Sequence, residues 1–142
     1  MADFFLDTAY AIALSASADE HHEHAVLLAG RIKRDRARLV TTRGVLLEIG
    51  NGLSKLRYRH AATRLLQALE ADPAVEIVSL SEELYRRALH LYVERSDKEW
   101  SLVDCLSFVI MQDRKIQDAL TTDEHFQQAG FRALMRETVP GP

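Results

Sequence analysis

Apolar residues along this chain fall into two kinds of run. Phe4 to Leu6, Leu39 to Thr41, Val75 to Leu80, Ala119 to Thr121 and Phe131 to Leu134 are too short for helices and read as buried strands. Between them apolar positions recur every three or four residues, the period of a helix with one buried face. Helices are predicted over Thr8 to Ser15 and over Glu20 to Arg36, the second capped by Asp19 and burying Ala25, Leu28, Ala29 and Ile32. Val45, Leu46, Ile49, Leu53 and Leu56 mark one face of a third helix, and Ala61 to Ala71 forms a fourth, stopped by Asp72-Pro73. Glu82 to Glu94 is a fifth. Ser101 to Arg114 contains CLSFVIM, apolar on every side, and is therefore a buried helix; Asp123 to Ala129 is the last, ended by Gly130.

Short apolar strands alternating with helices predict an α/β fold with a mostly parallel sheet. One domain over residues 1–138 and a tail over 139–142, where Pro140, Gly141 and Pro142 break regular structure, are the expected organisation. With 142 residues, 47% of them hydrophobic, the chain can bury a core of its own and is not disordered. The lone Cys105 excludes an intramolecular disulfide framework and a Cys-based zinc site, in keeping with a reducing cytoplasm and no disulfide-linked partner. No apolar run is long enough to span a membrane. The opening MADFFLDTAYAIALSASA has no basic start and is interrupted by Asp7, so a signal peptide is not expected.

In an open parallel sheet the ligand site lies beyond the carboxyl ends of the strands, and acids stand there. Asp7 ends the first strand and Asp123 follows the fourth. Glu48 lies on the apolar face of its helix between Val45 and Ile49, where a solvated Glu has no place, and Asp104 sits one turn into the buried helix. Each Asp has a plainer reading. Asp7 can cap the helix at Thr8, Asp123 suits a helix first turn, and Ser101 with Asp104 forms a capping-box pattern flanked by Trp100 and Cys105. Glu48 has no capping role. Four carboxylates at one end of a sheet repel each other unless a cation neutralises them, and they suit one or two hard divalent ions such as magnesium or manganese.

FFLDTAYAIAL, VLLEIGNGLSKL, DKEWSLVDCLSFVIM and ALTTDEHFQQAGF resemble, in order and spacing, the four motif regions of PIN-domain ribonucleases, and closely those of VapC-type toxins of bacterial toxin–antitoxin pairs. The resemblance implies a three-layer α/β/α sandwich with a five-stranded sheet in the order 3-2-1-4-5. It places the family's catalytic, metal-binding acids on Asp7, Glu48, Asp104 and Asp123, an accessory acid on Asp97, and supporting polar groups on Thr8, Asn51, Ser101, Thr121 and Thr122. It also implies Mg2+ or Mn2+ as cofactor, water as nucleophile at RNA phosphorus, products with 5′-phosphate and 3′-hydroxyl ends, a cognate antitoxin, a homodimer and a cytoplasmic location.

Other features are read as structural. His21, His22 and His24 point in different directions from one helix start; Cys105 is a small buried hydrophobe; Trp100 and Tyr10 pack; and His125, two residues after Asp123, is near the site without an assigned role. The net charge of −3 hides segregation: Arg31 to Arg64 holds ten of the 18 basic residues against only Asp35 and Glu48, a local charge of +8. Such a run is either a solvated face or a phosphate-positioning flank. Arg43, Lys55, Arg57 and Arg59 within it are candidate contacts to an RNA backbone or to an acidic antitoxin tail. Three alternatives to a toxin ribonuclease remain at this level. One is a housekeeping PIN-domain RNA-processing nuclease. A phosphatase with Asp7 as nucleophile is disfavoured because Ala9 breaks the D-x-D pattern. A non-catalytic RNA- or protein-binding module would bury repelling carboxylates to no purpose.

Overall fold

The computed structural model describes residues 3–137; the tail expected over 139–142 lies outside them. Five parallel strands, β1 (Asp3–Leu6), β2 (Arg38–Thr42), β3 (Val75–Val78), β4 (Asp118–Leu120) and β5 (Arg132–Ala133), form one sheet in the order β3-β2-β1-β4-β5, as expected. Seven helices connect them among the described residues: α1 (Thr8–Ser15), α2 (His22–Arg34), α3 (Arg43–Gly52), α4 (Leu56–Ala71), α5 (Glu82–Glu94), α6 (Leu102–Arg114) and α7 (Glu124–Gln128). Right-handed crossovers put the connections from β1 to β3 on one face of the sheet and those from β3 to β5 on the other. Accordingly α1 packs on α2, α3 and α4, while α6 packs on α5 and α7.

The chain reverses its direction of winding between β1 and β4, whose register pairs Phe5 with Ala119 and Leu6 with Leu120. Both strands are central and their inward side chains are dry: Phe5, Leu6, Ala119 and Leu120 are at most 1% exposed. Residues 104–111 of α6 are all buried, as its all-round apolar character requires. Phe108 meets Trp100 and Phe126 edge-on, each at 5.0 Å between centroids, and Phe126 also packs on Phe5 at 6.2 Å. That aromatic cluster joins β1, the middle of α6, the segment before it and α7.

Some boundaries differ from those the apolar pattern predicts. The pattern puts Leu56 on the buried face of the third helix, yet it is 92% exposed, because the chain breaks at Leu53 to Lys55 and α4 restarts with a new helical phase. The third strand stops at Val78, leaving Leu80 in a connection, and Leu134 begins a 3-10 turn instead of ending β5. Gly130, just past the Ala129 C-cap, terminates α7: its φ of 95° lets Phe131 N–H reach Phe126 O at 2.9 Å.

Candidate active site

β1 ends at Leu6, and Asp7 N–H donates to Leu120 O at 3.3 Å, so the next residues of both central strands meet at the sheet's carboxyl edge. Asp7 stands in the N-cap position of α1 but makes no side-chain cap hydrogen bond of the usual kind. Its Oδ2 instead accepts from Thr121 Oγ1 at 2.7 Å. At 7% exposure, burial pushes the Asp7 carboxyl up to about 7. Hydrogen bonds from Thr121 and the Thr8 backbone pull it down, and the charges of Glu48 and Asp104 push it further up.

α3 starts directly after β2, with Thr42 Oγ1 accepting from Val45 N–H at 3.2 Å as its cap, and this brings Glu48 over the strand ends. Thr8 Oγ1 donates to Glu48 Oε1 at 2.8 Å. Burial raises the Glu48 pKa; the Thr8 hydrogen bond opposes this and the charges of Asp104 and Asp123 reinforce it. Asp104 does form the reciprocal capping box: its N–H donates to Ser101 Oγ at 3.0 Å and its Oδ2 accepts from Ser101 N–H at 3.1 Å. Asp123 caps α7 by accepting from His125 N–H at 2.9 Å, and its own N–H donates to Thr121 Oγ1. Thr121 therefore links Asp7 to Asp123.

Capping does not exhaust these carboxylates. His125 Nδ1 lies 3.0 Å from Asp104 Oδ2 and 3.3 Å from Asp123 Oδ1. Facing carboxylates, which only accept, Nδ1 is the protonated ring nitrogen. Burial lowers the His125 pKa, but the Asp104 hydrogen bond and the charges of Asp123, Asp104 and Glu124 outweigh it and leave it raised. Among the described residues, neither Lys nor Arg pairs with any of the four acids, and His125 is their only basic partner.

Asp7, Glu48, Asp104, Asp123 and His125 line one open cleft of about 840 Å³, together with Thr8, Asn51, Glu99, Ser101 and Thr122. Ligand atoms of Asp104, Asp123 and His125 lie within 4.8 Å of one another. The donor set fits a hard divalent cation: carboxylate oxygens dominate, and the open cleft leaves space for water and a phosphate. Asp97 is not in this lining. It is exposed and forks with Arg95 at 3.0 and 3.1 Å, a pairing that holds its carboxyl below the usual range, whereas Glu99 reaches the cleft.

The basic candidates also stand outside the lining. Arg43 pairs with Glu70, Arg59 donates to Ser54 O at 3.1 and 3.3 Å, and Arg57 lies 4.7 Å over the Tyr58 ring. Lys55 occupies the N-cap position of α4. His125 and Glu99 are the charged cleft residues to which the sequence alone assigns no part; of the two, His125 touches the acids. The only local signal for His125 is the D-x-H at a helix start, since Asp104 is 21 residues away in the chain.

Residues 4–132 match the PIN domain. Over 127 residues, 89% of this chain and 94% of the relative, the chain is 28% identical to the 23S rRNA-specific endonuclease VapC20 of Mycobacterium tuberculosis, in strains H37Rv and CDC 1551 alike. Its structure is similar to the crystal structure of M. tuberculosis VapC20, described as a sarcin-ricin loop cleaving toxin. The TM-score is 0.79 at 27% sequence identity, covering 92% of this chain and 97% of that one.

Proposed function

The chain belongs to the PIN-domain family, and from that membership we propose that it is a metal-dependent endoribonuclease, the toxin of a type II toxin–antitoxin pair. The observation that carries this reading is the convergence of Asp7, Glu48, Asp104 and Asp123 on one cleft at the point where the sheet reverses its winding. These four are the proposed catalytic and metal-holding acids, with His125 beside Asp104 and Asp123. Mg2+ or Mn2+, as one or two ions, is the proposed cofactor.

When bound, a divalent ion supplies Lewis acidity to the phosphoryl oxygens and acidifies water. The chain's own residues hold the geometry. Thr121 keeps Asp7 oriented at the floor of the cleft, Thr8 fixes one oxygen of Glu48, and the capping box fixes Asp104. Burial makes Asp7 titrate near neutral pH, and it has to lose its proton before it can hold a cation, so metal affinity would rise with pH through about 7. Hydrolysis adds water across the P–O3′ bond, leaving a 5′-phosphate and a 3′-hydroxyl. Lys55 and Arg57, beyond the end of α3, are proposed to hold the RNA backbone or an acidic antitoxin segment. A homodimer and a cytoplasmic location complete the reading.

Incubating purified protein with labelled RNA, with and without Mg2+ or Mn2+, tests it. Cleavage should require metal and fall by about 10²-fold or more in Asp7→Asn and Asp104→Asn; undiminished cleavage by both variants would overturn the assignment. Growth arrest on expression, relieved by co-expressing the neighbouring open reading frame, separates a toxin from a housekeeping nuclease.

A further inference from the structure

The His125 ring lies among the acids of the cleft, yet neither helix start beside it needs an imidazole. α7 is capped through the His125 backbone, whose N–H donates to Asp123 Oδ1, and the capping box of α6 is closed between Ser101 and Asp104. The side chain is left over from both. It nonetheless sits between the two carboxylates, with Nδ1 3.0 Å from Asp104 Oδ2 and 3.3 Å from Asp123 Oδ1.

Those separations are the spacing of adjacent ligands around one metal ion. In an octahedron with bonds of about 2.1 Å, neighbouring ligand atoms stand about 3.0 Å apart and opposite ones about 4.2 Å. Nδ1 is therefore placed as a neighbour of each oxygen, and the ligand atoms of Asp104, Asp123 and His125 all lie within 4.8 Å of one another. Small rotations of the side chains bring the three onto one ion without moving α6 or α7. A hydrogen bond spans the same distance, so in the metal-free cleft a proton on Nδ1 fills the gap. His125 is also the one histidine in the cleft lining among the described residues.

A nitrogen among oxygens changes which ion the site prefers. Mg2+ takes oxygen ligands and gives up its waters reluctantly, whereas mixed nitrogen and oxygen sites bind the first-row divalent ions, a series that begins at Mn2+. We propose that His125 Nδ1 is a ligand of the metal ion held in the cleft, beside Asp104 and Asp123, and that this nitrogen biases the site toward Mn2+ over Mg2+. The inference rests on the metal-dependent nuclease reading and deepens it, adding a ligand to the four acids and naming the preferred ion. Ligation replaces the Nδ1 proton, which leaves to solvent, and the ring stays neutral with its remaining proton on Nε2.

Pulsed electron paramagnetic resonance on full-length protein loaded with one equivalent of Mn2+ reads the ligand without RNA. Nitrogen coupling to the ion should be present, change when the histidines carry 15N, and vanish in His125→Asn. The Asn amide N–H can still donate to Asp104 and Asp123, so a ring that served only as a hydrogen-bond clamp would be replaced by this variant. In calorimetry the ratio of Mn2+ to Mg2+ affinity should fall about tenfold from wild type to His125→Asn. Mn2+ bound with no nitrogen coupling would overturn the proposal, and the wild-type spectrum decides this even where the variant does not fold. So would a coupling that survives in His125→Asn, an unchanged affinity ratio, or no Mn2+ binding at all. RNA cleavage with a nitrogen-free Mn2+ spectrum sinks the ligand alone; a nitrogen-coupled ion without any RNA cleavage sinks the nuclease reading and keeps the metal site.

Discussion

Asp7 sets the site against the stability of the fold. Its carboxyl titrates near 7 in the folded chain against 3.8 for an ordinary Asp, so between those values the native state holds a proton the unfolded state has lost. Stability of the metal-free protein therefore falls as pH rises from about 4 to about 7, with a slope of at most about 1.4 kcal/mol per pH unit. Asp7→Asn removes this charge. Thermal unfolding in EDTA at pH 8 should show the variant more stable than the wild type by about 1–3 kcal/mol, with the gap closing near pH 4. The same variant should lose cleavage, a trade of stability against function. Residue by residue, placement in the cleft was legible where local pattern and burial conflict: Glu48 on an apolar face and Asp7 at a strand end both announce themselves. Asp97 and Glu99 illustrate the opposite case. They are two positions apart in an irregular segment, and no periodic pattern there tells that Asp97 turns to Arg95 while Glu99 lines the cleft.

At the scale of elements, the start of α6 carries two duties. The capping box stabilises the helix and holds Asp104 in place, while Asp104 also faces His125 on α7. Ser101→Ala should cost about 1 kcal/mol in urea unfolding and, by releasing Asp104, weaken Mn2+ binding severalfold in calorimetry. A stability loss with unchanged metal affinity would confine Ser101 to capping. The S-x-x-D pattern was readable in the chain because a capping box is local. The break between α3 and α4 was not, since Leu53 and Leu56 continue the apolar spacing of α3. Only the packing reveals that the phase resets there and leaves Leu56 in solvent.

Across the whole molecule, charge is sorted between an acidic cleft and a basic flank. Within the flank Arg43 is already paired with Glu70, and Arg38 shares the Glu76 carboxylate with Arg114, whereas Lys55 and Arg57 have no carboxylate partner among the described residues and are the candidates tested for phosphate. Removing both in Lys55→Ala/Arg57→Ala should lower the slope of log affinity for single-stranded RNA against log salt by about 1.4, read by anisotropy between about 50 and 200 mM salt. An unchanged slope would make the flank a solvated surface. Strand and helix order, the buried α6 and the acids at strand ends were determined by the sequence alone, because hydrophobic period and strand-end position are properties of neighbouring residues. The pairing of His125 with Asp104 and the link from Asp7 through Thr121 to Asp123 were decided only by the tertiary structure. Each joins residues far apart in the chain, and no local pattern encodes which side chains the packing of α6 and α7 around the β1–β4 edge will bring together.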